Sequence, residues 1–255
     1  MLLGIARLIV LVLDTLLFVP IVLLASLADP EARLGYRIAR YWAWFNVRLA
    51  GARLRVEGLE RIDPQASYVF ISNHRSNLDV IAVVTALWDF QLRWVAKREL
   101  TRIPGFGWAI RATKQIIVDR RDHAQAVASL EAARTRVRNG LSVVFFPEGH
   151  RSEGPLLPFK KGGFVFAIET GLPIVPIAII GTGAIMPRSD YLVRRGGDVR
   201  IVIGEPIPTT GLGLDDRDAL LAQVRDVIGA AAEGRAPEVG APVPWPGAVG
   251  AGAGH

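Results

Sequence analysis

Beyond residue 50 short β-rich apolar runs alternate with helical patterns, and nothing else in the sequence limits the fold as tightly. Arg53 to Glu57, Tyr68 to Ser72, Arg93 to Ala96, Gln115 to Asp119, Ser142 to Phe146, Ile174 to Ile180 and Val199 to Ile203 read as strands, several apolar enough to be buried on both faces. Helices are predicted at Asn77 to Trp88, Pro104 to Ala112, Asp122 to Asn139, Lys161 to Thr170 and Asp215 to Ala232. The helix from Asp122 has an N-cap at one end and Asn139-Gly140 as its stop. Strand and helix in alternation give an α/β layered domain, a central mostly parallel or mixed sheet flanked by helices, expected over residues 51–233. Residues 234–255 are rich in Gly, Ala and Pro without periodicity and read as a disordered tail.

Residues 1–50 have a different character. Leu8 to Ala28 reads LIVLVLDTLLFVPIVLLASLA, with one charge, Asp14, and one Pro20, and is long enough to cross a bilayer core. Arg7 and Ser26-Leu27-Ala28 offer the parts of a signal peptide, but the apolar run exceeds an ordinary h-region and is read as retained. After the turn-like Asp29-Pro30 a second helix is predicted from Glu31 to about Leu49. Leu34, Ile38, Tyr41, Trp42, Phe45 and Leu49 fall on one face, and Arg33, Arg37 and Arg40 on another. An apolar, aromatic face beside an arginine face is the pattern of a helix lying in the headgroup plane. The two helices therefore read as a membrane-associating segment, with a spanning first helix and a monotopic hairpin both open. If the first helix spans, the arginines that follow the apolar run put the globular domain on the cytoplasmic side, and the expected location is the cytoplasmic face of the inner membrane.

The formal charge is +6, and its position says more than its total. Between Arg93 and Arg121 there are eight basic residues and two acidic ones, so this stretch alone carries the whole excess. Excess Lys and Arg attract phospholipid and phosphodiester alike, but few aromatics accompany this charge, which disfavours a base-stacking surface and a nucleic-acid partner. The chain has no cysteine, which excludes a disulfide framework, an iron–sulfur cluster and a thiol nucleophile.

Two constellations carry chemistry. Asn73-His74-Arg75-Ser76-Asn77-Leu78-Asp79 follows an apolar strand and precedes an apolar helix. The carboxylate of Asp79 can fold back to one imidazole nitrogen of His74, fix its tautomer and leave the other nitrogen to take a proton. Such a pair is a general base without a protein nucleophile, so the attacking hydroxyl belongs to the substrate. The second constellation, Pro147-Glu148-Gly149-His150-Arg151-Ser152, follows another strand, at the end of which α/β sheets place their ligands. Gly149 permits a tight turn, and Arg151 offers a fork of donors suited to phosphate. Arg120 and Lys97 end two further strands. His74, Asp79, Glu148 and His150 also hold donor atoms for a divalent metal, as in a metal-dependent esterase, but the surrounding basic residues repel a cation and no metal is expected.

In order, NHRSNLD, VDR, FPEGHRS and LPIVPI resemble the motif set of the glycerolipid acyltransferases, in particular the 1-acyl-sn-glycerol-3-phosphate acyltransferases, and the likeness extends from about Leu54 to Pro208 through AKREL, IPGFG, FKKGG and VRIVIGEPI. The resemblance implies acyl transfer from a thioester co-substrate, acyl-CoA or acyl carrier protein, to a lysophospholipid hydroxyl, with no bound cofactor. It implies that His74 is the base and Asp79 its orienting carboxylate. It further implies that Arg120, Glu148, Gly149 and Arg151 bind the acceptor, that Lys97 contacts its phosphate, and that Pro173 and Pro176 form a structural or acyl-side motif. His150 departs from the family, which usually has Thr there.

Overall fold

The computed structural model describes residues 2–119, 121–137, 140–190, 192–193 and 195–235. Two helices come first, α1 (Leu2–Leu27) and α2 (Arg33–Leu49). Then follow β1 (Ala52–Glu57), β2 (Val69–Ser72), α3 (Leu78–Ala86), β3 (Gln91–Lys97), α4 (Phe106–Ala112), β4 (Ile116–Val118), α5 (His123–Arg134) and β5 (Leu141–Phe145). The chain ends with α6 (Gly162–Thr170), β6 (Ile174–Ile180), the short α7 (Thr182–Ile185), β7 (Gly197–Ile203) and α8 (Arg217–Ala232).

All seven expected strands are present, in one sheet of order β1-β7-β6-β2-β5-β3-β4. The five strands from β6 to β4 are mutually parallel, β7 is antiparallel to β6, and β1 runs with β7, so the sheet is mixed. Both faces of its centre are covered, which is why β2 and β5 are apolar without alternation. Phe70, Val144 and Ile177 pack under α2 and α3, while Val69, Ile71, Val143 and Phe145 pack against α6 and α8.

Several helix ends differ from expectation; α2 and α4 each begin two residues late, at Arg33 and Phe106. α3 stops at Ala86 rather than Trp88, because Leu87 leaves helical geometry and turns its fully buried side chain into the core. α5 begins at its Asp122 cap, whose carboxylate accepts from the Gln125 N–H, but ends at Arg134. There Arg136 and Val137 both donate to the Ala133 carbonyl, a tightened turn that buries Val137. Asn139 and residues 236–255 lie outside the described residues. α8 starts two residues late because a 3₁₀ turn, Leu214–Asp216, takes the first positions.

α1 is the one helix among the described residues long and apolar enough to cross a membrane. It lies along the domain rather than leaving it. Near its start Arg7 donates to the Val193 carbonyl, and further on Val19 and Val22 are buried. Asp14 accepts from Asn46 at 2.5 Å and Thr15 accepts from the Trp42 indole at 3.1 Å, so the two helices of the hairpin are joined at mid-length. Asp29 begins α2 by accepting from the Glu31 and Leu34 N–H groups. The turn between the helices is tied to the domain by two members of the basic stretch: Arg93 donates to the Glu31 carbonyl at 2.6 Å and Lys114 donates to the Pro30 carbonyl. Arg93 is 2% exposed, and burial pushes its guanidinium down to about 10.

The faces of α2 are not divided as its arginines suggest. Arg40 is buried with Tyr36, Ala43 and Val47, whereas the apolar Leu34, Tyr41 and Phe45 are exposed, as are Leu13, Leu16, Leu17 and Leu24 of α1.

Candidate active site

Parallel β2, β3, β4, β5 and β6 end at one edge of the sheet, which collects the residues that follow Ser72, Lys97, Val118 and Phe145. Asn73 closes the gap beside β2: its side-chain amide donates to the Ile179 carbonyl at 2.9 Å and accepts from the Ile179 N–H at 2.7 Å, continuing the ladder to β6 by a side chain. The next residue, His74, is thereby held at the strand end.

His74 Nδ1 stands 2.8 Å from Asp79 Oδ2. Asp79 sits in the first turn of α3 with no exposed surface, and the same oxygen accepts from the backbone N–H groups of Arg75 and Ser76 at 2.6 and 2.8 Å. A buried carboxylate held in this way favours the proton on Nδ1 and leaves the Nε2 lone pair free to accept a proton from a substrate. The imidazole plane is fixed by Phe146, which stacks on it with centroids 4.1 Å apart and planes 12° apart, and Trp94 stacks in turn on Phe146. Neither nearby hydroxyl is available as a nucleophile. Ser76 Oγ donates to the Met186 carbonyl, and Ser152 Oγ donates to Glu148 and accepts from Arg75.

Glu148 is 3% exposed and spends its carboxylate on the loops. One oxygen accepts from the His74 N–H at 2.7 Å, and the other from Ser152 Oγ at 3.0 Å and the Leu157 N–H at 2.9 Å. It joins the two constellations by their backbones. Arg75 adds a second tie, from its guanidinium to Ser152 Oγ and the Gly154 carbonyl. Gly149 turns the loop at φ +75°, and the end of Lys160 packs against the place a Cβ would take, with Cε 3.0 Å and Nζ 3.2 Å from it. Next to it, Arg151 carries a buried Nη1 that has no hydrogen-bond partner.

The structure thus brings His74, Asp79, Glu148, Gly149 and Arg151 together and places Lys97 at the end of β3 on the same edge. Arg120 lies outside the described residues. Pro173 and Pro176 belong elsewhere: Pro173 precedes β6, at the edge of the sheet away from His74, and Pro176 lies within β6. The Pro176 carbonyl accepts from the Gly204 N–H at 2.9 Å, one pair beyond the end of the β6–β7 ladder. The four donors considered for a cation do not converge; among the described residues no group of three or more His, Asp or Glu side chains is placed to hold a metal ion.

Reading the sequence passed over Lys160, Phe146 and the tie made by Arg75. FKKGG offers two adjacent lysines, and the fold separates them: Lys161 is taken by Asp218 at 3.0 Å on α8, and Lys160 lies against the Gly149 turn.

The sequence profile of the family described as Acyltransferase matches residues 53–180. The chain is 37% identical over 172 residues to the chloroplastic 1-acyl-sn-glycerol-3-phosphate acyltransferase BAT2 of Brassica napus, covering 67% of this chain and 49% of that one. It is 34% identical over 184 residues to the human 1-acyl-sn-glycerol-3-phosphate acyltransferase alpha, covering 69% and 62%. The chain spans about half the length of the plant relatives it matches. The crystal structure of the 1-acyl-sn-glycerophosphate (LPA) acyltransferase PlsC from Thermotoga maritima superposes with a TM-score of 0.77 and 26% identity, over 91% of this chain and 94% of that one. Since the profile runs from β1 to the last residue of β6, it takes in both loops that build the site and leaves out the hairpin before them; the chain belongs to the acyltransferase family.

Proposed function

We propose that this protein transfers an acyl chain from acyl-CoA or acyl carrier protein to the free hydroxyl of 1-acyl-sn-glycerol 3-phosphate, giving phosphatidic acid. The contact between His74 and Asp79 carries this reading, since it supplies an oriented base beside no usable protein nucleophile. His74 Nε2 takes the hydroxyl proton as the acceptor oxygen attacks the thioester carbonyl. Collapse of the tetrahedral intermediate breaks the C–S bond, and the imidazolium returns its proton to the leaving thiolate. Asp79 holds the imidazole and stabilises its cationic form. The unpartnered Nη1 of Arg151, with Lys97, Arg120 and Lys160, binds the acceptor phosphate and positions the hydroxyl. Glu148 and Gly149 act on the acceptor through the loop they shape, and Pro173 and Pro176 shape β6. The thioester is a co-substrate, so the reaction uses no bound cofactor.

The protein works as a monotopic enzyme on the cytoplasmic face of the inner membrane. In support, α1 is fastened to the domain near both ends yet exposes a continuous apolar face, continued by Leu34, Tyr41 and Phe45 of α2. The reading has no nucleic-acid partner, and in support Arg93, Arg98, Arg111 and Lys114 of the basic stretch make hydrogen bonds within the protein.

The test uses purified protein in detergent, acyl-CoA and acyl-carrier-protein donors, and a panel of lyso-lipids and glycerol 3-phosphate, with products read by mass spectrometry. Phosphatidic acid is the expected product, and His74→Ala abolishes it; near-native transfer by that variant overturns the mechanism. Arg151→Ala lowers kcat/KM more for a phosphate-bearing acceptor than for a neutral one, and equal losses would remove its phosphate role.

A further inference from the structure

Trp88, just past α3, stands edge-on to Tyr41 of α2 with ring centroids 5.1 Å apart. With Trp44 the two rings line an open cleft of about 280 Å³. Two guanidinium groups stack on these rings: Arg40 at 5.1 Å from the Trp88 centroid and Arg48 at 4.5 Å from that of Trp44. Arg40 is the unusual one. It is 8% exposed, its Nε is buried without a hydrogen-bond partner, and it makes no ion pair among the described residues. The carboxylate that acts on it, Asp89, does so from a distance, and Arg37 beside it adds positive charge.

A buried guanidinium nitrogen without an acceptor is costly, and stacking on one indole does not supply the oxygen atoms a guanidinium fork is shaped for. The cleft has the opposite need, since its three rings leave apolar surface open to the outside. Both are met by a molecule with an oxyanion at one end and carbon at the other. Tyr41 and Trp44 of the cleft are themselves exposed, as are Leu34 and Phe45 of the same helix, so the cleft is open to a bilayer lipid on the apolar side of α2. We infer that the α2–α3 cleft binds one anionic phospholipid of the membrane, with its phosphate held by Arg40 and Arg48 and its glycerol and first acyl carbons laid on Tyr41, Trp44 and Trp88. This lipid is not the reacting one. Asp79 and Trp88 are at opposite ends of α3, separated by roughly 10 Å of helix.

Native mass spectrometry of the full chain, released from detergent after incubation with phosphatidylglycerol, phosphatidylcholine or inorganic phosphate, tests the inference. One phosphatidylglycerol is retained and phosphatidylcholine is not. Arg40→Gln weakens retention about tenfold or more, as loss of hydrogen bonds to a charged group requires. Trp44→Ala, at an exposed position that folding does not depend on, weakens it as well, while Arg151→Ala leaves it unchanged. Equal retention of phosphatidylcholine, or retention unaffected by both cleft variants, overturns the proposal. Loss of the lipid in Arg151→Ala places it in the acceptor site instead, and displacement by inorganic phosphate alone reduces the cleft to an anion site. Arg40→Gln also keeps its turnover on detergent-solubilised acceptor, so failure of the His74 mechanism and failure of the lipid site are read separately.

Discussion

Asp79 concentrates three donors on one oxygen, Oδ2, while its buried Oδ1 has no partner. Exchange for the isosteric amide keeps the shape and removes the charge that the imidazolium requires. Asp79→Asn therefore lowers kcat by about 10⁴, the loss seen for the same exchange in the serine-protease triad, with acceptor KM changed far less. Steady-state kinetics over a range of acceptor concentrations reads the two apart. The pair itself is legible in the sequence, because a histidine five residues before a first-turn aspartate lies within reach of it. Glu148 is legible as a site residue but not in its use. Its donors are a hydroxyl four residues away and two backbone N–H groups, one of them 74 residues away, and side-chain patterns carry no record of backbone donors. Lys160 is hidden by its neighbour, since telling which lysine of the pair faces the loop needs the position of Asp218.

At the scale of elements, the strands announce themselves because central parallel strands are apolar throughout, and β6 matches its expected bounds to the residue. Helix ends are less legible, for α3 and α5 end where Leu87 and Val137 turn into the core, an event decided by packing. The direction of β1 and β7 against the other strands is likewise a matter of pairing across long separations. β1, at the edge of the sheet, and β7 beside it are joined by two ion pairs, Arg53 with Asp198 and Glu57 with Arg200; in the second, two guanidinium nitrogens meet the carboxylate at 2.8 and 2.9 Å. The hydrogen bonds from Arg200 hold the Glu57 carboxyl below its ordinary 4.5. In the range between the two values the unfolded chain binds more protons, so the stabilisation is present above the ordinary value and lost as pH falls through the lowered one. The pair is partly exposed and contributes about 0.5 kcal/mol. Glu57→Gln is thus less stable than the parent at neutral pH by about that amount, and the difference vanishes in acid; urea melts at a series of pH values measure it.

For the whole molecule, the basic stretch joins two parts as much as it marks a ligand. Its charge is visible in the sequence, yet its bonds to the Pro30 and Glu31 carbonyls are not, because they depend on where the hairpin turn comes to rest. Arg93→Gln removes the hydrogen bond that this buried guanidinium gives to the Glu31 carbonyl and costs about 1–3 kcal/mol. Hydrogen exchange should then rise first in residues 28–33, before the central strands respond; uniform acceleration across the sheet would instead assign Arg93 to the core alone. The pairing of β1 with β7 bears on how the molecule is made. Glu57 waits for Val202, so at roughly 5–20 residues per second a ribosome needs about 7–30 s to deliver the partner after β1 has been synthesised. During that interval α1 and α2 are already complete, while β7 and the Val193 carbonyl that accepts from Arg7 have yet to emerge. The hairpin is born before its seat, and its oily face meets lipid or a chaperone while the enzyme is still on the ribosome.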